Sequence, residues 1–155
     1  MLPLTLKTYQ EKILEHLKNY CKLCTIKGAE RAFLEYTGRT YLGIKQLPGL
    51  PYVCLRVPTG GGKTLIACHT VSTVRKEYLR TDNCTVLWIV PTNQIREQTL
   101  KALNNRNHPY RIALESQNNG EIKIFDLQEA MFTGVADYNQ SICIIVTTLA
   151  ALRIE

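Results

Sequence analysis

Three consecutive glycines, Gly60 to Gly62, followed by Lys63 and Thr64, constrain the fold of this chain more than any other feature. The stretch VPTGGGKT, residues 57–64, follows the apolar run PYVCLR and precedes LIACHTVSTV. Glycine weakens helix and strand interiors alike, because it loses the most conformational freedom on folding. Three in a row therefore predict a turn. The run before it has the composition of a buried strand, YVCLRV, and the run after it reads as a helix despite its β-branched residues. A strand that turns through glycines into a helix opens a βα unit, and such units build parallel sheets.

The remaining sequence continues the alternation. Tyr9, Ile13, Leu17 and Tyr20 share one helical face over residues 5–20. Residues 21–50 are less regular: GAERAFLEY is expected to form a short helix, and TGRTYLGIKQLPGLP a loop. CTVLWIVP is a strand ended by Pro91, and NQIREQTLKAL a helix. YRIALE and EIKIF read as strands around the turn SQNNG, with LQEAM as a helical turn or two. SICIIVTT is an apolar strand, and LAALRIE begins another helix. Strands that are continuously apolar and separated by helices predict an α/β fold, a parallel sheet with helices on both faces.

The chemistry of the loop follows from its residues. The phosphate-binding pattern is G-x-x-x-x-G-K-[ST]. Gly62, Lys63 and Thr64 satisfy its second half, whereas Val57 stands at the first glycine position. Gly60, Gly61 and Gly62 let the backbone wrap closely round an anion. Their N–H groups, with those of the helix that follows, would face the phosphates. Lys63 would reach the β- and γ-phosphates, and the Thr64 hydroxyl would ligate Mg²⁺.

The segment TGGGKT, from Thr59, resembles motif I of superfamily 2 helicases. Three further segments stand where that family has its own. LKTYQ, residues 6–10, is similar to the adenine-reading segment. WIVPTNQIREQ, residues 88–98, is similar to motif Ia, and IIVTTLAALR, residues 144–153, to motif Ib. Together they resemble DEAD/DEAH-box helicase-like proteins akin to the motor subunit of type III restriction enzymes. The resemblance implies a RecA-like P-loop domain, ATP and Mg²⁺ as cofactors, and a nucleic acid as partner, DNA ahead of RNA. It also implies Thr59 as part of the cradle, Lys63 as the catalytic lysine, and Gln98 beside Pro91 and Thr92 on the nucleic acid. A modification subunit or C-terminal domains belong to the partners it implies.

Individual residues carry two readings each. Gln10 offers a donor and an acceptor that match an adenine edge; equally it fits a solvated helix surface. Tyr9 is expected in the core. Pro91 and Thr92 end a strand at its carboxyl end, the edge that faces the ligand crevice in parallel sheets. The Thr92 hydroxyl suits a backbone phosphate, and suits a helix cap as well. Thr147 and Thr148 invite the same pair of readings.

Composition narrows the rest. The formal charge is +6, which suits a polyanionic partner and also an ordinary domain with spare lysines. No stretch approaches the ~18 apolar residues of a membrane span, and the start lacks the layout of a secretory signal. A cytoplasmic chain is expected, with no membrane partner. Cys54, Cys68, Cys84 and Cys143 read as buried thiols. CKLC, Cys21 to Cys24, has zinc-knuckle spacing but no second pair near it.

A phosphate-loop ATPase also needs an acid after an apolar strand. Asp126 is the nearest imitation, and Lys123 interrupts its run. Residues 1–155 are thus expected to be the N-terminal part of a helicase RecA-like ATP-binding domain 1, with an irregular insertion at about 21–50. The Walker B segment and second motor domain are expected to be absent. Such a piece would bind ATP and not hydrolyse it, within a parent helicase or translocase. The rival readings are a P-loop kinase or small NTPase, which needs an acid set not found here, and a stand-alone non-catalytic binding module.

Overall fold

The computed structural model describes residues 4–118 and 120–153. Residue 119 of the SQNNG turn and residues 154 and 155 of the LAALRIE expectation lie outside the described residues. The chain divides into two compact units, one spanning Thr5–Arg80 and the other running from Thr81 onward and including Leu4.

The first unit is helical. Helix α1 spans Thr8–Lys27 and α2 spans Ala29–Thr37. Helix α3 spans Lys63–Val74 and continues through a π turn, Arg75–Leu79. α1 is longer than the sequence period suggested, because Cys21 and Cys24 extend the buried face begun by Gln10, Leu17 and Tyr20. Residues 21–37 are thus largely helical, and the irregular part of the expected insertion begins at Gly38, which ends α2 in a left-handed conformation. Tyr20, Cys24, Ala29 and Ala32 form a buried cluster, with Phe33, Tyr41, Val53 and Tyr78 packed against it. Across it the Tyr20 and Phe33 rings meet edge to face at 6.2 Å. Lys18 and Lys22 pair with Glu77 at 3.6 and 3.7 Å, tying α1 to the π turn.

The expected strand YVCLRV is not a strand. Among the described residues, 50–57 run without a ladder partner. A strand is stabilised by its neighbour's hydrogen bonds, and no strand of residues 5–80 offers any. Tyr52 N instead donates to Tyr41 Oη at 2.8 Å, and Leu55 is left 37% exposed. Cys54 is exposed as well, against the expectation of a buried thiol.

The second unit is a three-stranded parallel sheet flanked by helices. Strand β1 spans Cys84–Val90, β2 spans Ile122–Asp126 and β3 spans Ile142–Thr148, in the order β1-β3-β2. Between β1 and β2 lie α4, Asn93–Asn104, and α5, Pro109–Ser116. Between β2 and β3 lie α6, Leu127–Phe132, and α7, Val135–Gln140. A 3₁₀ turn, Ala150–Leu152, stands where the sequence suggested a further helix. Central β3 is buried almost throughout, with Ile142, Cys143, Ile144 and Val146 at 0% exposure. Edge strand β1 alternates and leaves Thr85, Leu87 and Ile89 exposed. Helices α4, α6 and α7 pack on the strands.

YRIALE is helical, contrary to the strand reading. Pro109 stands in the first turn of α5, where its missing N–H is harmless, and His108 Nδ1 accepts from Tyr110 N at 3.2 Å as the cap. Arg111 then pairs one turn on with Glu115 at 2.7 Å. Its other nitrogens donate to the Leu103 and Ile122 carbonyls at 3.2 and 3.0 Å, so a buried cation fastens α4, α5 and β2. Helix α7 buries none of its side chains, and for that reason left no periodic sign in the sequence. Among the described residues no helix is long and apolar enough to cross a membrane.

Candidate functional site

The glycine loop is built by backbone geometry. Gly60 and Gly62 have φ of +72° and +76°, left-handed values that other residues adopt only with strain. Gly61 is required for a different reason: a Cβ there would lie 2.7 Å from Val57 Cγ1 and 2.9 Å from the Pro58 carbonyl oxygen. A Cβ on Gly62 would also lie 2.5 Å from Gln10 Nε2. All three positions therefore disfavour a side chain, Gly60 through its backbone conformation alone. The result is a stretch of bare backbone leading into α3.

Gly62 is the N-cap of α3 and supplies no side-chain cap. The first N–H groups of any helix have no intrahelical acceptor, so those of Lys63 and Thr64 are left for an outside acceptor. Lys63 is exposed, and its Nζ donates to the Pro58 carbonyl at 2.9 Å, folded over the loop. The Gly61 N–H also donates to that carbonyl, at 3.0 Å. Thr59 is exposed and Thr64 half-buried.

Gln10 is 4% exposed, which removes the solvated reading. Its Oε1 accepts from Lys7 N at 2.9 Å and its Nε2 donates to the Gly61 carbonyl at 3.0 Å. Tyr9, expected in the core, is 37% exposed. Its hydroxyl donates to the same Gly61 carbonyl at 2.8 Å. Tyr9 is thus a loop-contacting residue that the sequence reading passed over; the available signal was its place beside Gln10.

Inside α3, burial pushes the Cys68 thiol up to about 12 and holds the His69 imidazole below its usual value. Both are therefore neutral near pH 7 and add no charge behind the loop.

In the sheet unit, the Pro91–Thr92 and Thr147–Thr148 pairs come together. Val90 pairs with Thr148 in register, so Pro91 and Thr92 emerge beside the end of β3, at the carboxyl edge of neighbouring parallel strands. Their side chains are not equivalent. Thr92 is exposed and caps α4, accepting from Ile95 N at 3.3 Å. Thr147 is 1% exposed and Thr148 5%. Thr148 Oγ1 accepts from Ala151 N at 3.3 Å, a turn-capping role. Gln98 is exposed on α4. Arg96, in the first turn of α4, was not singled out; its Nε is buried with no hydrogen-bond partner.

Asp126 is a helix cap. Its Oδ1 accepts from Glu129 N at 2.9 Å, and Glu129 Oε2 accepts from Asp126 N at 2.8 Å. Lys123, which interrupted the apolar run, pairs with Asp137 at 2.5 Å and with Glu121 at 3.6 Å. Cys21, Cys24, Cys68 and Cys143 are buried and Cys84 is half-buried. Among the described residues no three His, Cys, Asp or Glu side chains gather into a metal-binding group.

The family model described as type III restriction enzyme, res subunit, matches residues 3–155. Neither the curated proteins nor the solved structures yield a match.

Proposed function

The chain belongs to the family of type III restriction enzyme res subunits, and on that premise we propose that Gly60 to Thr64 hold the phosphates of ATP. The family is one of helicase-like ATPases built on a RecA-like domain. The observation that carries the proposal is the loop itself: three positions that disfavour a side chain, by backbone conformation or by contact, running into a helix whose N-terminus has no side-chain cap. Bare backbone of this kind suits an anion held by N–H groups. Thr59 flanks it. Lys63 would exchange the Pro58 carbonyl for phosphate oxygens, and the Thr64 hydroxyl would face a bound Mg²⁺, which supplies charge neutralisation when present.

A nucleic-acid backbone, DNA in a restriction system, is proposed along the carboxyl edge of the sheet. Pro91 and Thr92 are exposed there, and Gln98 is exposed on the helix α4 that follows them. Thr147 and Thr148 would act through the backbone at the strand end, since their side chains are buried. Such contacts position a strand without reading its sequence.

Within residues 1–155 we expect binding without turnover, because Asp126 is engaged in its capping pair with Glu129. The parent motor would couple ATP hydrolysis to movement on DNA. The test is binding of a fluorescent ATP analogue to the wild type and to Lys63→Ala, beside ATP turnover with and without DNA. Binding that depends on Lys63, with no turnover, is the expected result. Undiminished affinity in Lys63→Ala overturns the assignment of the loop.

A further inference from the structure

We infer that Tyr9 and Gln10 are positioning residues that orient the Gly61–Gly62 peptide for phosphate, independently of any base. The inference rests on the reading of the loop as a phosphate cradle. One carbonyl, that of Gly61, receives two side-chain donors from the first turn of α1: Tyr9 Oη at 2.8 Å and Gln10 Nε2 at 3.0 Å. They reach it across 52 and 51 residues of sequence, so this contact is built by tertiary structure and not by the turn.

The orientation of the Gln10 amide is fixed by its two partners. Lys7 N–H can only donate, which assigns that end of the side chain as oxygen; the Gly61 carbonyl can only accept, which assigns the other end as NH₂. Both ends are engaged and the side chain is 4% exposed. Gln10 therefore ties the capped start of α1 to the loop.

A trans peptide is planar, and its C=O and N–H point in opposite directions. Drawing the Gly61 carbonyl toward Tyr9 and Gln10 turns the Gly62 N–H away from them, to the other side of the loop. The Gly61 N–H is already committed to Pro58, so Gly62 contributes the next free N–H, adjoining those at the start of α3. Gln10 Nε2 lies against Gly62 as well, in the space of its missing Cβ. If this peptide flipped, a carbonyl oxygen would face the anion in place of a donor.

The experiment uses inorganic tripolyphosphate, which has no base, beside ATP and GTP. Affinities are measured for the wild type, Tyr9→Phe, Gln10→Ala and Lys63→Ala, with thermal melting and the Gly62 amide resonance followed in each. Tyr9→Phe keeps the ring and removes one donor. It should weaken all three ligands by the same factor, about threefold to tenfold, the worth of one hydrogen bond. Its melting temperature should fall by no more than a few degrees, and the Gly62 amide should move less on adding tripolyphosphate. Gln10→Ala should do the same more strongly; if it fails to fold, Tyr9→Phe decides alone.

Unchanged tripolyphosphate affinity in Tyr9→Phe overturns the inference. A loss confined to ATP in Gln10→Ala, with GTP and tripolyphosphate intact, overturns it in favour of base reading. Tripolyphosphate binding that survives in Lys63→Ala is a separate failure, that of the cradle itself.

Discussion

At the glycine loop every position is confined by backbone geometry, whereas at the carboxyl edge of the sheet the same kind of contact is left to side chains that packing has partly consumed. Gly60 and Gly62 are held by φ and Gly61 by contact, so the loop has one shape. The edge has Thr92 exposed but capping α4, and Thr147 and Thr148 buried. The difference teaches how a phosphate surface can be read. A loop that presents backbone announces itself by the residues it excludes. An edge that presents hydroxyls looks the same in sequence whether they face a ligand or a neighbouring turn.

The comparison is broken most forcefully from the sheet side. Ile144 has 0% exposure in central β3 and stands in register between Val86 and Ile124. Ile144→Ala should lower stability by about 2–5 kcal/mol, read as a fall in the denaturant midpoint. A loss under about 1 kcal/mol would show that the sheet centre repacks, and would remove the packing on which the edge side of the comparison rests.

On the loop side, Gly62→Ala should cost about 1–2 kcal/mol of stability for its left-handed backbone. Its larger effect is on ligand: a Cβ 2.5 Å from Gln10 Nε2 pushes that amide off the Gly61 carbonyl, and affinity for an ATP analogue should fall more than tenfold. Affinity within twofold of wild type would show that the loop tolerates a side chain.

Thr92→Ala sharpens the comparison further. Removal of the cap at 3.3 Å should cost about 0.5–1 kcal/mol, and DNA affinity should fall with an unchanged salt dependence, because a neutral hydroxyl releases no counterion. A stability loss with DNA binding untouched would leave Thr92 as a cap alone.

The smallest expected effect concerns pH. Lys27 first, and then Arg31, hold the Glu35 carboxyl below its usual value, joining α1 to α2. A carboxyl whose folded value is depressed contributes stability above its unfolded value, and loses that contribution as pH falls through the folded one. Melting measured from pH 7 downward should therefore lose less in Glu35→Gln than in the wild type below about 4.5. Identical pH profiles would remove this ion pair from the account.

The elements most legible in the sequence were those with a strong local signature. β1, β2, β3, α3, α4 and α6 all stand where period, apolar runs and cap residues place them. YRIALE went wrong because five residues of alternating polarity fit strand and helix alike; Pro109 and the His108 cap decided for the helix. YVCLRV went wrong because strand composition describes a segment and not its partner. In the site, the glycine turn before α3 was legible from spacing, as was the place of both threonine segments at strand ends; that β1 and β3 are neighbours was not. Tyr9 and Arg96 were not, because their roles depend on where a hydroxyl and a guanidinium point.

The sequence alone determined where the backbone must turn and which way a helix dipole faces there, because glycine, lysine and threonine impose those properties locally. It also determined the α/β class and the family, which four short segments in order are enough to carry. Tertiary structure alone decided what those residues touch. It placed two donors from α1 on the Gly61 carbonyl, buried Thr147 and Thr148 while leaving Thr92 open, and turned Asp126 into a cap. The physical reason is range: backbone conformation is set by a residue and its neighbours, whereas burial and hydrogen-bond partners are set by segments about fifty residues away, as they are for Tyr9, Gln10 and Gly61.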